Sequence, residues 1–192
     1  MIKLQKDRHA HVFLAEHFLR KDEGVFIASC DYQMVYDEAE YQKLLDDENV
    51  DVIIWTFKIG AVKKADPNGF AYCRAQGDKV LEVVEKRTIS DDPQNDPAVT
   101  GSFTYKKSSL FVQGAQDMIK KNIRVNNEFY VGTSINQLIE KDYNVVKFEV
   151  DKFISFGTPL ELQLFYYWQD YFDNLADHPY SMAYGHKIRG NL

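Results

Sequence analysis

The chain has 192 residues, a formal net charge of −6, and a hydrophobic content of 45%. These values are typical of one globular domain, and the acidic balance argues against a nucleic-acid backbone as a partner. Two cysteines without a CxxC pair indicate neither a disulfide framework nor a structural zinc site. No apolar run is long enough to cross a bilayer and the first residues form no apolar signal segment, so we expect a cytoplasmic protein.

The first third of the chain alternates between helix-like and strand-like patterns. Apolar spacing predicts a helix over residues 10–18 and another over 38–45. Continuous apolar runs at 25–30 and 51–57 predict strands that are buried on both faces, and Asp31 follows the first of them. This strand–helix–strand order indicates a parallel α/β sheet, in which ligands bind beyond the carboxyl ends of strands. Asp31 is therefore a candidate site residue, although a turn or helix-cap role is an equal alternative.

The middle of the chain predicts a hairpin that ends in a charged pair. Residues 66–69, Asp-Pro-Asn-Gly, form a strong turn signal, and strands are expected at 70–74 and 79–85. Glu85 and Lys86 close the second strand. A carboxylate accepts hydrogen bonds from sugar hydroxyls and an ammonium offsets phosphate charge, so the pair could hold a phosphorylated sugar. Taken alone, the pair is also consistent with solvated surface charges.

From residue 90 onward, the sequence predicts three helices and two strands. After a loop at 90–97 and a strand around Phe103 that is expected to begin at Gly101, Ser108 or Ser109 could cap a helix that runs to about 121. A further helix is expected at 129–139 and a strand at 144–150. Thr158 and Pro159 then begin a final helix whose aromatic stripe we interpret as core packing. We expect one domain over 1–173 and a separate tail over 174–192.

Six short segments occur in a fixed order along the chain. They are Ala-Ser-Cys-Asp at 28–31, Asn-Gly-Phe-Ala-Tyr at 68–72, Val-Val-Glu-Lys at 83–86, Thr-Gly-Ser-Phe-Thr-Tyr at 100–105, Asn-Asn-Glu-Phe-Tyr at 126–130, and Phe-Gly-Thr-Pro-Leu-Glu-Leu at 156–162. This ordered set resembles the sugar-phosphate nucleotidylyltransferase family, the enzymes that make NDP-sugars. The resemblance covers most of residues 8–165 and is closest to the branch that serves capsular and lipopolysaccharide sugar synthesis.

The resemblance implies an α/β fold with a mixed, mostly parallel sheet flanked by helices, of the Rossmann-like kind. It also implies that a sugar 1-phosphate attacks the α-phosphorus of a nucleoside triphosphate and that pyrophosphate leaves. Such transfer depends mainly on positioning and charge neutralisation. A catalytically inactive relative that binds a sugar phosphate or a protein, and a glycosyltransferase of similar fold, are the alternatives.

The same resemblance implies roles for individual residues. Asp31 would be a Mg²⁺ ligand and a catalytic residue, and Lys86, the second catalytic candidate, would bind the sugar phosphate. The other substrate-binding candidates are Asn68, Gly69, Glu85, Gly101 and Glu128.

Two departures from the family pattern affect these expectations. The family's N-terminal glycine-rich nucleotide-binding segment is absent from the sequence, so we expect an N-terminally truncated fold, an isolated chain that is inactive, and an exposed sheet edge that drives self-association. The position of the family's second metal-binding aspartate is Ser155. A single aspartate and a hydroxyl would hold Mg²⁺ weakly unless substrate phosphates complete the coordination.

Overall fold

The computed structural model describes residues 16–61 and 66–174, and these residues fall into two units. The first unit comprises the described residues of 16–29 and 34–153, and the second comprises 30–33 and 154–174. Most of the helix predicted at 10–18 and nearly all of the tail predicted at 174–192 lie outside the described residues.

Eight strands and four α-helices make up the described structure. The strands are β1 (Val25–Ile27), β2 (Tyr32–Val35), β3 (Val52–Lys58), β4 (Ala71–Gln76), β5 (Lys79–Glu85), β6 (Pro97–Tyr105), β7 (Val145–Glu149) and β8 (Lys152–Ser155). The helices are α1 (Glu38–Asp46), α2 (Ser108–Lys120), α3 (Val131–Ile139) and α4 (Pro159–Asp173). No helix among the described residues is both long enough and apolar enough to span a membrane.

The main sheet is mixed, with the strand order β1-β6-β3-β7-β5-β4. An additional pairing of β4 with β6 closes five of its strands into a barrel-like ring. A second, two-stranded sheet consists of β2 and β8. The prediction of a mixed α/β fold is confirmed. The expectation of a mostly parallel sheet is wrong, because β3 and β7 are the one parallel pair among the described pairings of the main sheet.

The position of β6 explains this difference. The sequence places β1, α1 and β3 in a crossover, but β6 lies between β1 and β3 and is antiparallel to both. The strand predicted over 25–30 is short, and Phe26 within it is 50% exposed. The prediction of a strand buried on both faces is therefore wrong for β1 and confirmed for β3, whose residues Val52–Phe57 are all buried.

Two hydrophobic clusters lie on opposite faces of the first unit's sheet. Along β3, Val52 and Ile54 belong to one cluster, while Ile53, Trp55 and Phe57 belong to the other. This alternation follows from the two-residue period of a strand. The first cluster packs against residues of α2 and α3, and the second packs against α1. The sheet therefore holds helices on both faces, and α3 is fixed against the part that contains β5.

The final helix, α4, begins as predicted and packs differently. Thr158 Oγ1 accepts a hydrogen bond from the Glu161 N–H at 3.2 Å, and the Glu161 carboxylate accepts one from the Thr158 N–H at 2.9 Å, which completes a capping box. None of the residues of α4 is buried, and Trp168 in its aromatic stripe is 46% exposed. The interpretation of this stripe as core packing is wrong among the described residues.

Candidate functional site

The end of strand β5 carries the charged pair singled out in the sequence. Glu85 is the last residue of β5 and is paired with Ala71 of β4. Lys86 then leaves the strand with a φ angle of 55°, in the left-handed region that a residue with a side chain rarely adopts. Such a conformation costs free energy and persists where the surroundings hold it in place. The strand end is therefore a fixed structure rather than a flexible surface segment.

Lys86 joins the strand end to the predicted turn. Its backbone N–H donates to the Phe70 carbonyl at 2.9 Å, and its ammonium donates to the Gly69 carbonyl. The turn itself is a single 3-10 helix over Pro67–Gly69, capped by the Asp66 carboxylate, which accepts from the Asn68 N–H at 3.0 Å. The structure thus brings together three of the predicted residues, with Asn68 and Gly69 exposed beside Lys86.

The Glu85 carboxylate lies against the first turn of α3. It is half-buried, and a Cβ added to Gly132 would be only 2.4 Å from Glu85 Oε1 and 2.9 Å from Val83 Cγ1. Only a glycine allows the helix to approach the strand so closely. Burial raises the pKa of Glu85 to about 7, and the neighbouring ammonium of Lys86 opposes this rise.

Glu128 reaches the same region through a tyrosine. Tyr130 donates its hydroxyl to Glu128 Oε2 at 2.9 Å, and the centroid of its ring is 5.9 Å from Lys86 Nζ. Burial, followed by the hydrogen bond to Glu128 and the charges of Glu128 and Glu85, raises the pKa of Tyr130 to about 12. The arrangement places two carboxylates, an ammonium and a tyrosine hydroxyl near one strand end. These groups can bind hydroxyls and a phosphate.

Sequence reasoning missed two members of this cluster, Tyr130 and Gly132. The helix that contains Gly132 was predicted, with an ambiguous start at 129, and the structure begins it at Val131. An isolated glycine inside a helical pattern often marks a close packing contact. That signal was available at Gly132.

Gly101 occupies a different position from the predicted one. It lies inside β6 rather than at its start, with a φ angle of 92°. The pairing of β6 with β3 shifts there, since Ile54 pairs with Phe103 whereas Thr56 pairs with Val99. Three residues of β6 therefore oppose Trp55 alone, which is a β-bulge that the positive φ of a glycine makes possible.

Asp31 belongs to the second unit and is exposed. It directly precedes β2 rather than ending a buried strand, because β1 stops at Ile27. The placement at the end of a buried strand is therefore wrong. The Asp31 carbonyl accepts a hydrogen bond from the Phe156 N–H at 2.8 Å, which joins it to the segment that leads into α4.

The oxygen atoms of Asp31, Ser155 and Glu161 surround Gly157. A Cβ placed on Gly157 would lie 3.4 Å from Asp31 Oδ2, 3.6 Å from Ser155 Oγ and 3.9 Å from Glu161 Oε2. Ser155 Oγ already accepts from the Gly157 N–H at 3.3 Å, and Glu161 caps α4. Two carboxylates and a hydroxyl are hard oxygen ligands of the kind that Mg²⁺ takes. Over 16–61 and 66–174, no group of three or more His, Cys, Asp and Glu side chains could hold a metal.

Comparison with solved structures identifies the fold. A nucleoside-diphosphate-sugar pyrophosphorylase from Vibrio cholerae RC9 matches with a TM-score of 0.60 and 16% identity, over 79% of this chain and 59% of that one. A putative glucose-1-phosphate thymidylyltransferase from Bacillus anthracis, in complex with a sucrose, matches with a TM-score of 0.59 and 21% identity, over 83% and 60%. The inositol-1-phosphate CTP transferase from T. maritima matches with a TM-score of 0.59 and 12% identity, over 84% and 60%.

These matches confirm the predicted resemblance at the level of the fold, which is the mixed α/β fold of nucleotidyltransferase structures. The chain spans about 60% of the length of the solved structures it matches. A scan against protein-family models and a search of curated protein sequences gave no match. The roles of the individual site residues remain predictions.

Proposed function

We propose that this chain provides the sugar-phosphate-binding part of a nucleotidyltransferase, in which a nucleotidyl group passes from a nucleoside triphosphate to a sugar 1-phosphate. One observation carries this proposal. Lys86 is held in a left-handed conformation, fixed to the turn at Gly69 and Phe70, directly after the half-buried carboxylate of Glu85. The fold shared with sugar nucleotidyltransferase structures supports the same function.

The chemistry of the strand end suits a phosphorylated sugar. The Lys86 ammonium offsets the negative charge of the phosphate, and the Glu85 carboxylate accepts hydrogen bonds from ring hydroxyls. Hydroxyl donors favour the ionised form of a carboxyl group. Because the Glu85 pKa is about 7 in the free protein, binding of the sugar near neutral pH would release a proton. Asn68, Gly69 and Glu128 complete the proposed contacts. Gly101 is a further substrate-binding candidate, for which we propose no specific contact.

Magnesium enters the proposal through the second unit. Asp31 would hold Mg²⁺ with the hydroxyl of Ser155 and the phosphates of the substrates, and the ion would neutralise charge that develops during transfer. The donor set fits the ion in chemical type. It is poor in carboxylates, because Ser155 takes the place of an aspartate and Glu161 is engaged in capping α4.

The partners and location follow from the same proposal. The ligands would be a sugar 1-phosphate and a nucleoside triphosphate, and the product would be used for surface polysaccharide. The two free cysteines agree with a reducing, cytoplasmic setting.

The edge of the main sheet at β1 concerns self-association. Within the described part of the chain, β1 is an end strand that pairs with β6 alone. Self-association through this edge is part of the proposal, and light scattering at increasing protein concentration tests it.

Titration calorimetry with glucose 1-phosphate tests the sugar-phosphate site. The Lys86→Ala variant loses a charge-assisted contact worth about 1.5 to 3 kcal/mol, so its affinity should fall by about 10-fold to 150-fold. Lys58→Ala is the matched control, because Lys58 is an exposed lysine whose ammonium is 3.8 Å from Glu149 in the same unit. Equal affinities of the wild type and Lys86→Ala would contradict the proposed role of Lys86.

A second candidate function is sugar-phosphate binding without transfer, which the serine at position 155 favours. A pyrophosphate-release assay with a panel of nucleoside triphosphates and sugar 1-phosphates tests transfer by this chain. Turnover would support transfer and would contradict the expectation that the isolated chain is inactive. Binding of glucose 1-phosphate without turnover is expected of both functions, because the glycine-rich nucleotide-binding segment is absent from this sequence.

A further inference from the structure

The strand that ends in Glu85 has an unusual partner on one of its edges. Along its length β5 pairs with β4, from Gln76↔Lys79 to Ala71↔Glu85. On its other edge it pairs with β7 at one position, Lys79↔Val146, among the described residues. Within residues 16–61 and 66–174, the edge of β5 that leads to Glu85 therefore has no neighbouring strand, and its backbone groups need other partners.

A side chain of α3 supplies those partners at Val83. The Val83 N–H donates to Asn136 Oδ1 at 2.8 Å, and Asn136 Nδ2 donates to the Val83 carbonyl at 2.8 Å. The amide of Asn136 thus makes the two hydrogen bonds that a neighbouring strand would make. Val83 is only 2% exposed, and leaving a buried backbone group unsatisfied is costly.

The same face of α3 touches Glu85 itself. Gly132 precedes Asn136 by four residues, so both lie on one side of the helix. Val83 and Glu85 are two residues apart on β5, so their side chains point to the same side of the sheet. The short distances from a Cβ on Gly132 to Glu85 Oε1 and Val83 Cγ1 agree with this geometry. The distance between α3 and β5 therefore sets where the Glu85 carboxylate can lie.

We propose that Asn136 is a positioning residue for the Glu85–Lys86 site, acting through its two hydrogen bonds to the backbone of Val83. The expected effect on ligand binding rests on the proposed function. If Glu85 and Lys86 were displaced, they could no longer bind the sugar hydroxyls and the phosphate of one ligand at the same time. The role proposed for Asn136 is exerted through the Val83 backbone and not through contact with the sugar or the reacting atoms. Its effect is transmitted through a strand segment of two residues.

The first test follows the Glu85 carboxyl directly and needs no ligand. Carbon-detected NMR titrates Glu85 in the wild type, in Asn136→Ala and in Asn144→Ala. Asn144 is the matched control, because its Nδ2 donates to the Asn49 carbonyl at 2.8 Å in the same unit, and both residues lie outside β5 and α3. We expect the Glu85 midpoint to move toward that of an ordinary glutamate in Asn136→Ala alone. An unchanged midpoint would overturn the proposal.

The second test measures binding of glucose 1-phosphate to the same variants. Asn136→Ala should weaken binding by about tenfold, whereas Asn144→Ala should remain within twofold of the wild type even if both unfold at lower urea concentrations. The same titration and binding measurements are made on Asn136→Ser, a milder substitution that keeps a polar hydroxyl at this position. Wild-type affinity in both position-136 variants would overturn the positioning role.

The two proposals can fail separately. If Glu85→Ala abolishes binding while the position-136 variants bind normally, the positioning role fails and the proposed function stands. If glucose 1-phosphate and the other sugar 1-phosphates of the panel bind neither the wild type nor any variant, the proposed function fails. The NMR titration then still decides whether Asn136 fixes the Glu85 carboxyl.

Discussion

Two regions of this protein carry the predicted charged residues, and they hold their carboxylates in different ways. At the end of β5, Glu85 is half-buried against α3 and its pKa is raised to about 7. Around Gly157, Asp31 is exposed, and Glu161 accepts a backbone N–H of its own helix. In the first region the carboxylate is packed against a helix, and this burial raises its pKa. The second uses exposed oxygens that water and ions can reach.

The largest expected difference between the regions is the pH dependence of stability. The Glu85 pKa rises from 4.5 to about 7 on folding, and at 1.36 kcal/mol per unit this corresponds to about 3 kcal/mol. Because the folded state binds this proton more tightly, the contribution of Glu85 to the free energy of unfolding is largest below pH 4.5 and falls as the pH rises to about 7. Urea unfolding of the wild type and Glu85→Gln at several pH values measures this contribution.

Glu85→Gln should lack this decline relative to the wild type, since glutamine does not titrate. Asp31→Asn, which removes an exposed carboxyl of the second region, is the matched control. Parallel profiles for the wild type and Glu85→Gln between pH 4.5 and 7 would contradict the burial of this carboxyl.

A pair of glycine substitutions compares the packing of the two regions. Gly132→Ala should lower the free energy of unfolding by about 1 to 2 kcal/mol, because overpacking against Val83 and Glu85 outweighs the higher helix propensity of alanine. Gly157→Ala should change it by less than about 0.5 kcal/mol, because its Cβ would make ordinary contacts at 3.4 to 3.9 Å. Thermal or urea unfolding measures the free energy of unfolding of both variants. An equal decrease in Gly132→Ala and Gly157→Ala would contradict the difference in packing between the two regions.

The smallest effect concerns the left-handed backbone at Lys86. Lys86→Gly and Lys86→Ala both remove the ammonium, but only glycine adopts a φ of 55° without steric cost. The glycine variant should therefore be more stable than the alanine variant by about 1 kcal/mol, while both lose affinity for glucose 1-phosphate. A glycine variant no more stable than the alanine variant would show that the left-handed conformation is not retained.

The sequence was most informative where local chemistry decides the structure. The turn at Pro67–Gly69, the hairpin of β4 and β5, and the capped start of α4 all depend on residues close together in the chain. The contact of Lys86 with Gly69 was not itself predicted, although the hairpin register that pairs Ala71 with Glu85 brings the turn and the strand end together. The strand–helix–strand pattern predicted the α/β class, and the family resemblance predicted a mixed sheet.

The pairing of strands that are far apart in the sequence was harder to predict. The antiparallel insertion of β6 between β1 and β3 has no local signal, because a parallel crossover and this arrangement share one pattern of apolar runs. The position of Gly101 at a bulge depends on the register with β3. Asn136 was missed for a related reason. A polar residue inside a predicted helix is normally assigned to the solvent-exposed face. The Asn136 amide instead bonds the Val83 backbone, because no described strand pairs with that part of β5.

The two tryptophans provide each unit with its own optical reporter. Trp55 lies on β3 in the first unit, is 2% exposed, and donates its indole N–H to Thr104 Oγ1 at 3.0 Å. Trp168 lies on α4 in the second unit and is 46% exposed. Their emission should therefore differ in wavelength and in access to a soluble quencher. Single Trp→Phe variants turn intrinsic fluorescence into a separate record of each unit, without an added label.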